Sequence, residues 1–366
     1  MRKLVLSCLP FVVAVGLPSQ ATHLVGAGGL PDINAALAIA SPGDRIHIAT
    51  GTYPGFVADK GVTIRPVAGA SVWIGGPGLP SVIAADVPAG QTLNLVALSM
   101  SAPVHVTGGR VTLDQCYYSG NRSALVVSDA SVHLQNTTMV TGLSFTPVST
   151  VIADNADITA VGCTLNCSQI VLIPVPTLDL TATRLHVSGG SIVQQAFAAG
   201  AAMRIAGGTH AWVADCDVQT AAPCPVDDQG GTVRFSRSPG LMSVNPACAA
   251  PVAGPPLLGV TRSTPLQPGG LFTLAFRGEP NGFVVVFASA DVGKFDWAPL
   301  LEQPSWLDDL QSVSVTVILA DAAGDSAASW SLPGNPAILD LALWFKGLGG
   351  PSWPLQVTPP IGGVVR

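Results

Sequence analysis

The chain has few charged residues. Only 10% of its 366 residues are Asp, Glu, Lys or Arg, against roughly 25% in an average soluble protein. Lysine occurs four times and glutamate twice, and the formal net charge is -6. No basic patch is visible, which argues against a nucleic-acid partner. The 40 glycines and 31 prolines favour many short strands and tight turns instead of long helices.

A long apolar segment is absent after the N-terminus. At the N-terminus itself, Arg2-Lys3 precedes a mostly apolar stretch ending at Leu17, and Ser19-Gln20-Ala21 offers small residues for cleavage. This pattern predicts a signal peptide over residues 1–21 and a mature start near Thr22. Further along we see no apolar run of about 18 residues free of Pro, Gly and charge, so no transmembrane segment is expected in the mature chain. The protein is therefore predicted to be secreted or held at the cell surface.

One short sequence motif recurs between residues 93 and 238. It reads apolar-x-apolar-x-x-small-x-apolar, and we call it the octet. The copies begin 18, 21, 26, 20, 33 and 22 residues apart, a recurrence typical of stacked repeats. Their first residues are Leu93, Val111, Val132, Ile158, Leu178, Ala211 and Val233.

The octet predicts a parallel β-helix. Its first and third residues point inward from one strand, and its sixth and eighth residues point inward from a second strand. The two residues between the strands are enough for a bend but not for a helix. Each copy is then one coil, and successive coils stack about 4.8 Å apart.

Six cysteines remain once the signal peptide and Cys8 are removed. Cys116, Cys163 and Cys216 occupy the inward sixth position, and alternate coils lie too far apart (roughly 10 Å) for a disulfide, so these residues are interpreted as buried fillers. Cys224 and Cys248 lie in the irregular segment after the repeats and are the pair most favoured for a disulfide. The Cys163-x3-Cys167 spacing lacks a second ligand pair, so no zinc, other metal or cofactor is predicted.

The segment before the octets resembles a known superfamily. Residues 31–40 read as a helix, and Pro42-Gly43-Asp44, a strand at Arg45–Ile48, Gly51-Thr52-Tyr53 and Lys60-Gly-Val-Thr-Ile64 follow. This order resembles the opening of right-handed parallel β-helix proteins of the pectin-lyase-like superfamily, in which a helix caps the first coil. The resemblance covers residues 31–240. It implies a fold, but not an activity, because the superfamily includes lyases, hydrolases, epimerases, adhesins and silent members.

Beyond the octets the composition changes. Residues 246–256 are rich in Pro, Ala and Gly and read as a linker. Short apolar runs separated by Gly, Pro and Asp then predict a small antiparallel β-sandwich over residues 257–366. The predicted fold is therefore all-β: a capped right-handed parallel β-helix over residues 22–245, followed by that sandwich.

The octet register also predicts a surface stripe. Its outward second positions are expected to form a continuous solvent-facing column across the coils, and polysaccharide lies across such a face in the superfamily. His133, Asp179, Trp212 and Arg234 could stack on a sugar and bond its hydroxyl or carboxylate groups. The alternative interpretation is ordinary polar surface. The full set of second positions is Asn94, Thr112, His133, Thr159, Asp179, Trp212 and Arg234.

Opposite charges in neighbouring coils predict two surface ion pairs. Arg184 and Asp217 share the seventh position, and Asp215 and Arg237 share the fifth. Such pairs contribute about 0–1 kcal/mol each. They favour a structural role over a metal site or an acid–base couple.

Catalytic patterns are sparse. Asp227-Asp228 is similar to the paired aspartates of polygalacturonase-like enzymes, but the accompanying Asn-Thr-Asp, Gly-His-Gly and Arg-Ile-Lys motifs are missing. No Ser/His/Asp elbow and no carboxylate cluster beside a base is present. Loop tryptophans of the second domain, Trp297 and Trp306, could bind carbohydrate by stacking, although such residues more often close one end of a sandwich.

These observations predict an exported, non-enzymatic structural or adhesive surface protein, which contacts polysaccharide or cell-envelope components through the β-helix face. Two alternatives remain open. One is a polysaccharide lyase or glycoside hydrolase with a divergent site. The other is a carbohydrate-binding module that uses the loop tryptophans.

Overall fold

The computed structural model describes residues 20–76, 82–142, 146–169, 173–195, 200–238, 256–262, 266–290, 292–295, 300–301, 303–307, 312–350 and 354–366. The predicted signal peptide therefore lies almost wholly outside the described residues. Within the described ranges the regular structure is nearly all β-strand, with one α-helix at Ile33–Ile39 and one 3-10 turn at Pro336–Ile338.

A parallel β-helix occupies the chain up to Ser236. Each coil contributes one strand in turn to face 1, face 2 and face 3, and the strands of successive coils pair in parallel. Face 1 contains Thr22–Val25, Arg45–Ile48, Thr63–Pro66, Thr92–Val96, Arg110–Asp114, Ser131–Gln135, the first halves of Asp157–Cys167 and Arg184–Gln194, His210–Ala214 and Thr232–Ser236. Face 2 contains Gly51–Tyr53, Val72–Ile74, Ser99–Met100, Tyr117–Gly120, Thr138–Thr141, the second halves of Asp157–Cys167 and Arg184–Gln194, and Asp217–Thr220. Face 3 contains Val57–Ala58, Ile83–Asp86, Val104–Gly108, Leu125–Ser128, Val151–Asp154, Leu178–Thr181, Met203–Ala206 and Val226–Gln229.

The predicted capping helix is confirmed. Asp32 begins it as N-cap, its carboxylate accepting a 2.8 Å hydrogen bond from the Ala35 amide. The helix buries Ile33, Ala36 and Leu37 against the first coil. Lys60 donates to the carbonyls of Leu37 and Ala40 near the helix C-terminus, so its role is structural. An additional strand, Thr22–Val25, extends face 1 by one strand that the sequence analysis did not predict.

A single residue in the left-handed region turns the chain from face 1 to face 2. It is the fifth residue of every octet except the one at Leu178, whose coil has Gly189 at this corner. Five of the seven corner residues are not glycine, with φ between 45° and 56°. Because one such residue redirects the backbone, the strand before it and the strand after it meet at a sharp corner. The corner residues are Ala97, Gln115, Asn136, Gly162, Gly189, Asp215 and Arg237.

The octet beginning at Leu178 does not lie at the corner between face 1 and face 2, where the sequence pattern places it. It lies at the corner between face 3 and face 1. Leu178–Thr181 lies on face 3, where Leu180 pairs with Ala153 and Ile205. The corner from face 3 to face 1 also uses a left-handed residue, here Ala182, so it produces the same apolar pattern. The true face-1 member of this coil is Leu185-His186-Val187. Leu113 and Leu134 stack on face 1 as predicted.

The C-terminal part forms two antiparallel sheets packed face to face. One contains Gly259–Arg262, Leu271–Arg277 and Asp325–Ser331, and the other contains Phe283–Ser289, Val313–Leu319, Ala342–Gly349, Gln356–Val357 and Ile361–Val364. A hairpin of Val292–Phe295 and Ser305–Leu307 lies beside them. A shared core that includes Phe272, Phe276, Val286 and Phe345 joins the two sheets. The predicted linker falls almost entirely on residues outside the described ranges.

The cysteines follow the predicted division. Cys116, Cys163, Cys167 and Cys216 are free and buried. Burial raises the pKa of Cys116, Cys163 and Cys216 to about 12. Cys224 is disulfide-bonded, and Cys248, its predicted partner, lies outside the described residues.

Candidate functional site

The predicted stripe exists as a ladder, with one member corrected. On face 1, neighbouring strands pair the second octet positions of successive coils in an unbroken series. His186 takes the place predicted for Asp179, since the octet at Leu178 was misassigned. We call this series the face-1 column; it contains Asn94, Thr112, His133, Thr159, His186, Trp212 and Arg234.

Asp179 lies on face 3 instead. There it accepts a 2.7 Å hydrogen bond from Nε of Arg204 in the next coil. The pKa of Arg204 is raised chiefly by this bond. Asp179 is therefore separated from the other three predicted stripe residues by a corner of the solenoid.

The face-1 column does not face solvent, contrary to the prediction. Thr112, His133 and His186 are 1%, 5% and 0% exposed. The sandwich covers this face, and the indole of Trp344 meets the ring of His133 edge-on with centroids 4.8 Å apart. Trp212, near the far end, is half-buried and stacks at 6.2 Å on the exposed His210. The column is thus mainly an interface inside the protein.

Polar contacts fix the sandwich to face 1. The Gln135 amide bonds the backbone of Gly362 in both directions, and the Ser188 hydroxyl lies 2.8 Å from the Val260 amide nitrogen. Asp114 and Arg262 lie 3.8 Å apart, each with 2% of its side chain exposed. Burial raises the pKa of Asp114 to about 6, with Arg262 opposing it.

A second contact lies at the N-terminal end of face 1. The Asp340 carboxylate of the sandwich meets three basic side chains of neighbouring coils: Arg45 at 3.7 Å, His47 at 3.4 Å, and Arg65. Burial acts to raise the pKa of Asp340, but His47 and Arg65 hold it below the ordinary value. We call this group the Asp340 clasp.

One of the two predicted ion pairs is confirmed. Arg237 donates to both oxygens of Asp215, at 2.7 and 2.9 Å, and also to the carbonyls of Leu257 and Arg277. The other prediction is wrong because of the misassigned octet. Arg184 begins a face-1 strand and pairs with Asp157 at 2.8 Å, not with Asp217.

Asp227 and Asp228, the pair considered for catalysis, are exposed at the end of face 3. The Asp228 carboxylate accepts from the amides of Gly230 and Gly231, and the Asp227 carboxylate accepts from Gln229. These bonds shape a turn. Among the residues that the structure describes, no group of three or more His, Cys, Asp or Glu side chains could hold a metal ion.

The best-formed cleft lies at the seam between face 1 and the sandwich, but it is small. Its volume is about 40 Å³, and Arg110, Ser131, His133 and Asp157 line it opposite Val292. One water needs about 10–15 Å³ of such volume. The cleft therefore has room for a few water molecules and not for a sugar ring.

Of the tryptophans considered for binding, Trp297 lies outside the described residues. Trp306 belongs to the short strand Ser305–Leu307, and its side chain lies outside the described part of the structure. Two other tryptophans of the sandwich pack inside it: Trp344 is buried, and Trp330 stacks on Phe272 and Phe345.

Face 2 carries a ladder that the sequence analysis did not single out. Its outward residues pair from coil to coil along the whole face and remain half-buried or exposed. Two are aromatic: Trp73, and Tyr117 with 42% of its surface exposed. The others carry small hydroxyls, except for the acid in the last coil. We call this series the face-2 ladder; it contains Thr52, Trp73, Ser99, Tyr117, Thr138, Thr164, Ser191 and Asp217.

The two aromatic rings are placed to act on one ligand. Trp73 and Tyr117 flank Ser99 in consecutive coils, so they lie about 10 Å apart at the usual interstrand spacing. The Trp73 indole also donates to the Ser101 hydroxyl at 3.4 Å, which orients its ring. The octet pattern does not point to these residues, because it requires nothing of its seventh position except that the side chain points outward.

Comparison with known proteins adds little. No family model matches the chain, and no curated protein matches it. Among solved structures, the enzymatically active domain of tailspike protein 2 of bacteriophage CBA120 is 9% identical, with 90% of this chain and 68% of that chain covered and a TM-score of 0.28. Within the described residues, none of the helices is long and apolar enough to cross a membrane.

Proposed function

We propose that this is an exported, non-enzymatic structural or adhesive surface protein that contacts neutral polysaccharide through the face-2 ladder. The proposal includes membership of the pectin-lyase-like superfamily, which the opening segment resembles. The observation that carries it is the aromatic pair of half-buried Trp73 and exposed Tyr117 on a hydroxyl-lined face. Exposed aromatic rings offer an apolar face to a sugar, and neighbouring hydroxyls offer donors and acceptors.

The charge distribution supports a neutral ligand and a non-enzymatic role. Seven of the eight ladder residues are uncharged, so the face has nothing to attract a strongly acidic chain. On the other two faces, the described carboxylates Asp157, Asp179 and Asp215 each pair with an arginine. Glycoside hydrolysis requires two carboxylates flanking one bond, with one of them protonated. These three carboxylates are engaged by arginine side chains, which leaves them less free to take that role.

The test is retention of the intact mature protein on immobilised neutral glycans selected from a glycan array. Each aromatic contact is worth about 0.5–1.5 kcal/mol beyond its buried area. The double variant Trp73→Ala/Tyr117→Ala is therefore expected to bind about tenfold or more weakly. Tyr117→Phe keeps the ring and should retain most of the affinity.

Leu271→Ala serves as the control, since Leu271 is an exposed apolar side chain on the sandwich, away from face 2. It should bind like the unmodified protein. Equal retention of the double variant and this control would reject the face-2 ladder as the glycan surface.

A further inference from the structure

Two buried histidines of the face-1 column have ring nitrogens without a hydrogen-bond partner. Both ring nitrogens of His186 and Nε2 of His133 make no hydrogen bond, although both residues are almost wholly buried. His133 Nδ1 contacts the Thr159 hydroxyl. Buried polar atoms are nearly always paired, so these three nitrogens require an explanation. The seam cleft offers room for a water beside His133, but His186 does not line it.

The surroundings of both rings favour the neutral form. His133 faces Thr159 and Gln135 from the solenoid, Trp344 and Arg262 from the sandwich, and the cleft residues Arg110 and Asp157. Burial lowers its pKa to about 3, and the Arg262 charge acts in the same direction.

His186 has Thr159 and Trp212 as its register neighbours on face 1, with the Trp212 ring 6.3 Å away. The sandwich strand Gly259–Arg262 packs against Arg184–Gln194, the strand that contains His186. Burial alone lowers the pKa of His186 to about 3. A second proton on either imidazole would therefore create a charge that is cut off from water while the sandwich is docked.

We propose that the sandwich is a cover over face 1 that mild acid releases, with His133 and His186 as the groups that sense the proton. Lifting the sandwich gives both rings access to water, where each can carry a charge. The release goes beyond the glycan contact on face 2 and does not depend on it, because the two faces are separate.

The hydrophobic cores explain why the interface opens before the solenoid does. The solenoid interior is one buried cluster, and the sandwich core is another that takes only Val161 from the solenoid. Both histidines lie outside the solenoid interior, on the outward side of face 1. Protonation therefore weakens the docking surface and leaves the stacked core intact.

The Asp340 clasp determines where the cover stays attached. Arginine side chains stay charged at all relevant pH values, and Arg45 and Arg65 both face the Asp340 carboxylate. The clasp therefore holds while the histidine region weakens. We expect the sandwich to pivot about the N-terminal coils.

Asp114 acts in the opposite sense and is outweighed. Its raised pKa means that docking gains from its protonation as the pH falls through about 6. The lowered histidine pKa values mean that docking is lost progressively below 6.5. Docking lowers the pKa of each of the two histidines from 6.5 to about 3, and it raises the pKa of the one carboxyl from 3.8 to about 6. The destabilising effect of the histidines in acid is therefore larger than the stabilising effect of Asp114.

The test is small-angle X-ray scattering of the intact mature protein from pH 7.5 to pH 4.5, with far-UV circular dichroism in parallel. We expect the radius of gyration to rise below pH 6.5 while strand content is unchanged. In His133→Asn/His186→Leu the expansion should vanish or move down by about one pH unit or more. An unmodified protein that stays compact at pH 4.5, or that loses its strands in the same step, would overturn the proposal.

A disulfide lock keeps the test decisive if that double variant does not fold. Ser188→Cys/Val260→Cys joins two positions whose side-chain oxygen and amide nitrogen are 2.8 Å apart. The oxidised form should remain compact in acid and should expand after reduction. The unmodified protein under the same reductant is the control, because Cys224 is also disulfide-bonded. Expansion of the locked form would show that the cover is not what moves.

Discussion

Non-glycine residues in the left-handed region carry a local strain at the corners of the solenoid. Ala97 has φ 53°, with no side-chain amide or carboxylate to compensate. Asn136 and Asp215 occupy the same position with side chains that tolerate this conformation better. The corner geometry is therefore imposed by the stacking of strands on both sides and not by the residue itself.

Ala97→Gly is expected to stabilise the protein. Removal of the Cβ relieves about 1–2 kcal/mol of left-handed strain. The greater conformational entropy of glycine in the unfolded chain offsets roughly 0.4–1 kcal/mol of this gain in stability. The net gain should be about 0.5–1 kcal/mol, measured by denaturant unfolding. Ala84→Gly, on an ordinary face-3 strand, is the matched control and should destabilise by about 0.5–1 kcal/mol. A loss of stability in Ala97→Gly would contradict the strain argument.

At the scale of the element, arginine–aspartate pairs differ in what else they hold. Arg237 joins Asp215 to two carbonyls of the sandwich, and 26% of its side chain is exposed. Arg204 bonds Asp179 on face 3, and 41% of its side chain is exposed. The first pair therefore ties two domains together, while the second pair only joins neighbouring coils.

Arg237→Ala should cost more than Arg204→Ala. Loss of Arg237 removes charged hydrogen bonds to one carboxylate and leaves two sandwich carbonyls without that donor, which is expected to cost about 2 kcal/mol. An exposed pair such as Arg204–Asp179 contributes about 0–1 kcal/mol. Thermal unfolding of the two variants checks the order. Equal losses would mean that the sandwich contacts of Arg237 contribute nothing.

Most elements of the solenoid could be predicted from sequence, whereas the assignment of one coil could not. The octet describes any corner made by one left-handed residue, and the coil has two such corners. At Leu178 the pattern therefore matched the corner from face 3 to face 1, and Asp179 and Arg184 were placed in the wrong columns. The register of Leu185-His186-Val187 becomes visible only when the coils are stacked.

The candidate site was harder to predict for a related reason. Thr112, His133 and His186 are polar and point outward, and this pattern is the same whether water or a second domain covers them. The covering of face 1 depends on contacts with residues far away in the chain, such as Gln135 with Gly362. Trp73 and Tyr117 lie in separate coils, and their alignment on face 2 becomes visible only from the strand pairing.

At the scale of the whole molecule, the solenoid is a one-dimensional stack with unequal ends. The capping helix closes the N-terminal end, whereas on face 1 the strand Thr232–Ser236 is the last one that the structure describes. In stacks of this kind, each repeat is stabilised mainly by its neighbours. Opening should therefore begin at the C-terminal coils.

The buried free cysteines can report that order. Their raised pKa values and burial keep the thiols unreactive in the native state. In mild denaturant, a thiol reagent should modify Cys216 first, then Cys163, and Cys116 last, as resolved by peptide mass spectrometry. In strong denaturant all should react at similar rates. Simultaneous modification in mild denaturant would indicate that the solenoid opens as one cooperative unit.

The three edges of the solenoid differ in how much chain they use. Two residues connect face 1 to face 2 at Gln115-Cys116, at Asn136-Thr137 and at Asp215-Cys216, while the connections from face 2 to face 3 range from residues 101–103 to residues 168–177. The uneven spacing of the repeats therefore comes largely from one edge. A peptide epitope or a receptor-binding loop grafted at that edge would lengthen one coil without changing the register of the strands in the coils above and below it. The protein could therefore gain new surface there while its strand pairing is preserved.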